Sequence, residues 1–486
     1  MRSRLIVLAF LLCSVAPTAK AATYYVRTTG NDTTGDGSTG TPWATLSKAL
    51  TTVAIGGGDT VLVGPGTYAE STSGLGYLFL DRAFTGEVVV RSETSTATDV
   101  VITGATSTAY DTRCQACANL TFSDVTFSPR VNTNTSAFKK LTGTTTALKF
   151  ERVVFDVSAT GGTGLFLRAV TGTTITAVTL TDCFLRQVGA NVPGNGVYLN
   201  QSGTGTIDGV SVDGLDGALL GGVAVNVLGA SNVTLTRINV RTNGSYGVQL
   251  NPVTTASLTA SDIVTTGAQA VAVIVGTDGE AGAASTGVTI STSRIESALS
   301  HGLLIGYGVT GALVDDVSVA GYDVGIVARG STDVVVRNSR VRHHHGGGLY
   351  TKGATNASWT GNTCESAGGE SIKMALNGAT APSAATYTGN LIVVSGAAKA
   401  FDWPTDFDSG ASVVAGNYYA VPQGQFGQVL ADQSVGTMNE LKSAWAPYGD
   451  GTNDRSSMLV KSFLSLPWGV QWSGVGFDPA WLLYGR

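Results

Sequence analysis

Charge is scarce in this chain. Of 486 residues, 29 are Lys or Arg and 34 are Asp or Glu, only 13% together, where about 25% is usual in a soluble globular protein. The formal net charge of -5 and the thin supply of cations leave no basic surface for a phosphate backbone, which excludes nucleic acid as a partner. Long hydrophobic runs are missing after the first twenty or so residues, and none approaches the ~18 that would span a bilayer, so no membrane partner is expected. The last roughly sixty residues are too few and too irregular for a transmembrane barrel. Proline is limited to 12 residues and histidine to 4. What is plentiful is glycine, at 64 residues, with Ser and Thr throughout and 43% apolar residues. That apolar share excludes a disordered chain, and the mixture favours strands and tight turns over helices.

The N-terminus has the pattern of an export signal. Arg2 and Arg4 precede the apolar run Leu5 to Leu12, and Ala19-Lys20-Ala21 supplies small residues at the cleavage positions. Residues 1–21 are therefore expected to be removed, giving a secreted or periplasmic protein that starts near Ala22. Cys13 would leave with the signal, so Cys114, Cys117, Cys183 and Cys364 remain in a compartment that permits disulfides. Cys114 and Cys117 form a lone C-x-x-C, which favours a loop disulfide or free thiols over a zinc site.

From about residue 120 to 420 a short template recurs: an apolar residue, polar turn residues, then an apolar strand. Examples are Phe122-Ser123-Asp124-Val125, Phe150-Glu151-Arg152-Val153, Leu180-Thr181-Asp182-Cys183, Leu235-Thr236-Arg237-Ile238 and Val314-Asp315-Asp316-Val317, with Gly-Asn forms at Asn362, Asn390 and Asn417. Spacings of roughly 22 to 32 residues without helical patterns indicate a solenoid of strands, a parallel β-helix. Cys183 and Cys364 then lie about seven coils apart, roughly 34 Å, too far to bond.

A second strand per coil follows a small-residue turn, as in Gly196 to Asn200, Gly325 to Arg329 and Gly348 to Lys352. Alternation along each strand predicts one outward column of Tyr198, Gln249, Ala272, Leu304, Val327, Tyr350 and Lys373. Its neighbour is predicted as Asn200, Asn251, Ile274, Gly306, Arg329, Lys352 and Ala375. On this reading charge appears only in the late coils.

Tyr24-Tyr25-Val26, Gly30-Asn31-Asp32, Pro42-Trp43-Ala44-Thr45-Leu46, Gly58-Asp59-Thr60-Val61 and Gly66-Thr67-Tyr68 resemble the opening of secreted right-handed parallel β-helix proteins of the pectin-lyase-like superfamily. The tail from Met438 to Phe463 is similar to the closing segment of such proteins, with Lys461-Ser462 where Asp-Pro is usual. The resemblance implies an all-β, right-handed parallel β-helix with an N-terminal capping helix. The expected organisation is 22–117 as cap and first coils, 118–420 as the parallel β-helix and 421–486 as a C-terminal cap. Trp43, Leu46, Leu50 and Val53 or Ala54 would form the stripe of a helix over 43–54 that covers the end of the rod. This architecture is shared by polysaccharide lyases, glycoside hydrolases, epimerases and non-enzymatic surface proteins.

Chemistry concentrates late in the chain. His301, His343, His344 and His345 lie within about two coils, near Arg329, Tyr350, Lys352 and Lys373, and residues 321–380 carry six Lys or Arg against four acids. Such a patch suits an anionic polysaccharide, because ammonium and guanidinium groups pair with uronate carboxylates. The bland alternative is a solvated turn at His343-His344-His345 on a rod that needs some surface charge.

For a uronate lyase, Lys352, Arg329, Lys373, Tyr350 and His344 are the candidate catalytic residues, and His301, Arg342, Glu370 and Asp402 the candidate substrate-binding residues. Neighbouring positive charge is expected to depress the pKa of Lys352 and make a neutral amine base accessible. Chondroitinase B and its alginate-lyase relatives look similar in using a Lys base with an Arg about one coil later; here Arg329 precedes Lys352 and the next coil offers Lys373. Ser300-His301-Gly302 and Ser371-Ile372-Lys373 echo polygalacturonase motifs, but Asp315-Asp316 follows His301 instead of preceding it. A glycoside hydrolase would draw on Asp323, Glu370 and Asp402, and a glycan-binding scaffold would need none of these groups. No cofactor is expected. The Asn31 to Asp36 loop and Asp315-Asp316 could each bind calcium or be turns that satisfy their own backbone. The protein is expected to act as a monomer.

Overall fold

The computed structural model describes residues 21–403 apart from short stretches, among them 53, 107–109, 131–134, 189–193, 280–282 and 344, together with strand segments at 413–415, 417–420, 427–429, 434–435 and 455–456. The export segment and most of the tail resemblance lie outside the described residues.

The expected solenoid is present. Each coil contributes strands to three parallel ladders, as in Leu313–Asp315 and Ser318–Gly321 on the first, 28-stranded sheet and Ile326–Arg329 on the second, 15-stranded sheet. Stacking begins earlier than the recurring template: Thr23–Val26 pairs in parallel with Thr60–Val63, which pairs with Ala83–Ser92, which pairs with Ala118–Ser123. The rod therefore runs without a break through residue 117.

The template has a backbone cause. Its third residue is left-handed in coil after coil: Asp124, Arg152, Asp182, Gly214, Arg237, Ala260, Thr292, Asp316, Asn338, Gly361 and Gly389 all have φ between 46° and 77°, and parallel register aligns them. One residue at positive φ turns the strand sharply without breaking the ladders on either side. Asp, Asn and Gly tolerate that conformation best, which explains their frequency here.

The residue after this turn points inward and forms a column that changes character along the rod. It reads Val125, Val153, Cys183, Leu215 and Ile238, then Ser261, Ser293, Val317, Ser339, Asn362, Asn390 and Asn417. Its asparagines form a buried hydrogen-bonded ladder. Asn362 Nδ2 donates to Asn390 Oδ1 at 3.0 Å and Asn390 Nδ2 to Asn417 Oδ1 at 2.9 Å, while each also bonds backbone of an adjacent coil. A buried amide is tolerable only when satisfied in this way. The remaining interior is largely aliphatic, with a phenylalanine stack at Phe122, Phe127, Phe138, Phe150 and Phe155 and a stacked Trp359–Tyr387 pair. Lys140 is an exception: it points inward, fully buried, donating to the Gly143 carbonyl at 2.5 Å, and burial pushes its pKa down to about 8.

The capping helix is shorter than expected, spanning Leu46–Thr51 with Thr45 as N-cap. Trp43 precedes it, bridged to Val26 and stacked on Tyr24, and Ala54 is exposed, so only Leu46 and Leu50 of the expected stripe lie buried on the helix. The buried Glu70 carboxylate accepts from the amides of Leu46 and Ser47 and from the Ser47 hydroxyl, fixing the helix start to the first coils. The Asn31 to Asp36 loop is a turn: Asn31 Oδ1 accepts the amides of Thr33 and Thr34, Asp32 accepts those of Ala44 and Thr45, and Asp36 accepts that of Ser38. Cys114 and Cys117 are disulfide-bonded, and Cys183 and Cys364 are free and buried.

Candidate functional site

The second sheet carries the site on its outward face. Pairing along its strands gives one outward column of Phe79, Arg113, Lys139, Phe166, Tyr198, Asn226, Gln249, Ile274, Leu304, Val327, Tyr350, Lys373 and Asp402. This corrects the sequence-based alignment in two respects. Ile274, not Ala272, occupies this column, because Ala272 itself stands level with Gly247 at the small-residue position of the coil. The coil through Asn226 is also an additional step, and Arg113, Lys139 and Arg168 place charge in the early coils as well as the late ones.

On the late coils the structure brings most of the expected residues together. Arg329 and Lys352 are register partners, and Tyr350 and Lys373 are partners one column over. Glu370 and Lys399 continue a third line at the strand entry, where Gly347 leaves a gap in the row. Lys373 Nζ lies 3.1 Å from Glu370 and 3.7 Å from Asp402, and 5.8 Å from the centre of the Tyr350 ring. Arg329 is ion-paired with Asp278, reaches Asn377 Oδ1 at 3.5 Å and lies 5.6 Å from the Tyr307 ring centre. Lys352 has no carboxylate within ion-pair distance among the described residues.

The electrostatics follow from burial and these neighbours. The Lys352 pKa is lowered, chiefly by burial and next by the Arg329 charge, so the expected direction holds but its leading cause is desolvation. Lys373 is raised despite its burial, because Glu370 and Asp402 favour its charged form. Burial raises Tyr350, which keeps its phenol protonated at neutral pH. At the strand entry, His301 Nδ1 is 3.1 Å from Ser300 Oγ and 3.7 Å from Asp323 Oδ2; burial outweighs Asp323 and lowers its pKa, leaving a neutral imidazole at pH 7.

Other expected residues lie elsewhere. Arg342 is exposed on the first sheet, 3.9 Å from Glu365, because the turn after His343 carries the chain around the rod before the second sheet begins. His344 lies outside the described residues. His343 is buried and faces inward as the register partner of Gly321 and Ser366, whereas His345 is exposed and fits the solvated turn. Asp315 is committed to Arg337 and Asn338. Asp278, Tyr307 and Asn377 were missed: they follow strands of three different coils, and only the fold brings them to Arg329.

The description "Right handed beta helix region" matches residues 246–418. The chain folds as a right-handed parallel β-helix. The match spans the coils that hold the candidate site, and the outward face of the second sheet there carries Arg329, Tyr350, Lys352, Lys373 and Asp402. Solved structures similar to it include the A-module of mannuronan C-5 epimerase AlgE6 from Azotobacter vinelandii, at 12% identity over 83% of this chain and 90% of that one, TM-score 0.37. A lacto-N-biosidase from Eubacterium ramulus is similar at 10% identity over 90% and 68%, TM-score 0.40. An alginate lyase from a Paenibacillus species is similar at 15% identity over 72% and 91%, TM-score 0.27. No curated protein matches the chain.

Proposed function

We propose that this β-helix protein is an exported enzyme that cleaves a uronate-containing polysaccharide by β-elimination on the late-coil face of its second sheet. The observation that carries the reading is the state of Lys352: half-buried, unpaired with any described carboxylate, and lowered in pKa beside Arg329. Such an amine can lose its proton and act as a base.

In the proposed step the Lys352 amine takes the proton at C5 of a uronate. The electron pair of that C–H bond forms the C4–C5 double bond, the bond from C4 to the glycosidic oxygen breaks, and the Tyr350 phenol supplies a proton to the departing oxygen. Arg329 faces the uronate carboxylate, where positive charge makes the C5 proton more acidic. Lys373, clamped by Glu370 and Asp402, and neutral His301 border the sugar. The products are an unsaturated uronate and a new chain end, and their appearance in a screen of acidic and neutral polysaccharides tests the reading.

A glycoside hydrolase is a second reading, favoured by one observation. Glu370 and Asp402 share a single ammonium at 3.1 and 3.7 Å, so the oxygens that contact it lie no more than about 6.8 Å apart, under the ~9.5 Å upper limit for a carboxylate pair in hydrolysis. Products without the double bond would select it.

Export before Ala22 belongs to the same reading. Ala22 already bonds into the first coil, its amide to Asp59 Oδ1 at 2.7 Å and its carbonyl to the Thr60 amide at 2.9 Å, which supports cleavage just before it. Mass spectrometry of the exported protein checks the cleavage: an intact Met1 contradicts it.

A further inference from the structure

Midway along the rod the second sheet turns amides and rings outward in place of charge. The strands Thr163–Ala169, Asn195–Gln201, Val223–Leu228 and Tyr246–Leu250 pair in parallel, which sets Phe166, Tyr198, Asn226 and Gln249 in one outward row. These four strands contain no Asp or Glu, and Arg168, turned to Ser202 Oγ at 3.3 Å, is their only charged residue. The Phe166 and Tyr198 rings are stacked, 4.8 Å apart and 10° from parallel. Two hydrogen bonds fix the amides around them: Asn200 Nδ2 donates to Tyr198 Oη at 2.5 Å, and Asn226 Nδ2 donates to Asn195 Oδ1 at 3.1 Å. Asn226 exposes only 8% of its surface, and its buried Oδ1 accepts from no group among the described residues. Gln249, next in the row and half-buried, bonds to no described residue through its amide. A buried acceptor is costly to leave unsatisfied. Its place in this row calls for a hydroxyl from outside the chain, met directly or through a water.

We propose that this row is a non-catalytic subsite for uncharged sugar residues of the glycan. Aromatic faces offer apolar contact to the C–H face of a sugar ring, and an amide, with donor and acceptor side by side, matches two neighbouring hydroxyls. The late coils are built for different chemistry, since Arg329, Lys352 and Lys373 supply charge there. Asn226 and Tyr350 are separated by five register steps, roughly 24 Å, and the outward residues between them include the buried apolar Ile274, Leu304 and Val327. These side chains neither donate nor accept, so the two groups form separate contacts on one face. A chain that reaches both carries uncharged sugars at one end of the contact and uronate at the other. The substrate class this implies is a heteropolysaccharide, not a uronate homopolymer. The inference rests on the preceding reading in taking the partner to be a glycan that also meets the late coils, but it does not require elimination.

The test is electrophoresis of the full exported protein through gels containing xylan, galactomannan or pullulan, with polygalacturonate as the acidic comparison. Wild type is expected to be retarded by at least one of the three uncharged polymers. Tyr198→Ala/Gln249→Ala is expected to lose at least about tenfold in affinity for that polymer. Gln249→Ala alone, at a half-buried position without a described partner, provides a second variant should the pair fail to fold by its melting curve; a loss of about threefold or more is expected. Retardation of wild type by polygalacturonate alone, by none of the polymers, or by an uncharged polymer equally in wild type and folded variants overturns the proposal. Retardation lost in the variants of a protein that yields no unsaturated product keeps this subsite and removes the lyase reading. Unsaturated product from a wild type that no uncharged polymer retards does the reverse.

Discussion

Arg329 and Lys352 are direct register partners on adjacent coils, so two cationic side chains leave the same outward face one strand apart. Only Arg329 has a described counter-ion, Asp278. The proximity costs Lys352 part of its affinity for a proton, and burial costs it more. Cleavage that uses the neutral amine should therefore rise with pH, with a midpoint below the usual lysine value. Arg329→Gln should move that limb to higher pH, because the nearer of the two charges that depress the amine is gone while burial and Lys373 remain. A limb lying below pH 6.5 that disappears in His301→Gln would instead make the imidazole the base.

Arg342 serves as the internal control. It lies on the first sheet with Glu365, so Arg342→Ala should leave cleavage within about twofold of wild type and stability within about 0.5 kcal/mol. Arg329→Ala and Lys373→Ala, in contrast, should weaken substrate binding, and added salt should weaken it further. A large activity loss in Arg342→Ala would contradict the placement of the site.

The asparagine ladder can be tested by denaturation. Asn390→Leu keeps the volume but removes the acceptor used by the Asn362 amide and side chain and the donor used by Trp359 O and Asn417 Oδ1. Leaving buried groups unsatisfied costs about 1–3 kcal/mol each, so a loss of about 3 kcal/mol or more is expected. An unchanged denaturation midpoint would show that the ladder is dispensable.

Glu70 offers a parallel test at the other end of the rod. Glu70→Ala leaves the amides of Leu46 and Ser47 and the Ser47 hydroxyl without their shared acceptor. A loss of about 2–4 kcal/mol is expected, together with earlier proteolysis in the segment 43–54. Equal melting and equal protease resistance would argue against the helix being fixed through this carboxylate.

The fold was legible because its two signals are local. The template of apolar residue, turn and apolar strand reports a left-handed backbone position that recurs once per coil, and Asp124, Arg152, Asp182, Asp316 and Asn338 display it in the sequence itself. The two columns, one through Arg329 and Lys352 and one through Tyr350 and Lys373, were legible for the same reason, since strands led by a small residue set their alternation. Elsewhere alignment by eye failed. Val271–Val275 has no alternation to read, because all five residues are buried. Arg342 was misplaced because sequence proximity to the histidines hid a turn between two sheets. Asp278, Tyr307 and Asn377 converge on Arg329 from three coils, a relation that no spacing rule encodes.

The central claim is elimination by Lys352, and its most direct measurement is the ultraviolet absorbance of the unsaturated uronate product, with wild type and Lys352→Ala compared on the best acidic polysaccharide. The account predicts that product accumulates with wild type, and that Lys352→Ala lowers turnover by about 10²–10⁴-fold while keeping most of its affinity for the polymer. Full activity in Lys352→Ala, or cleavage by wild type without the unsaturated product, would contradict it.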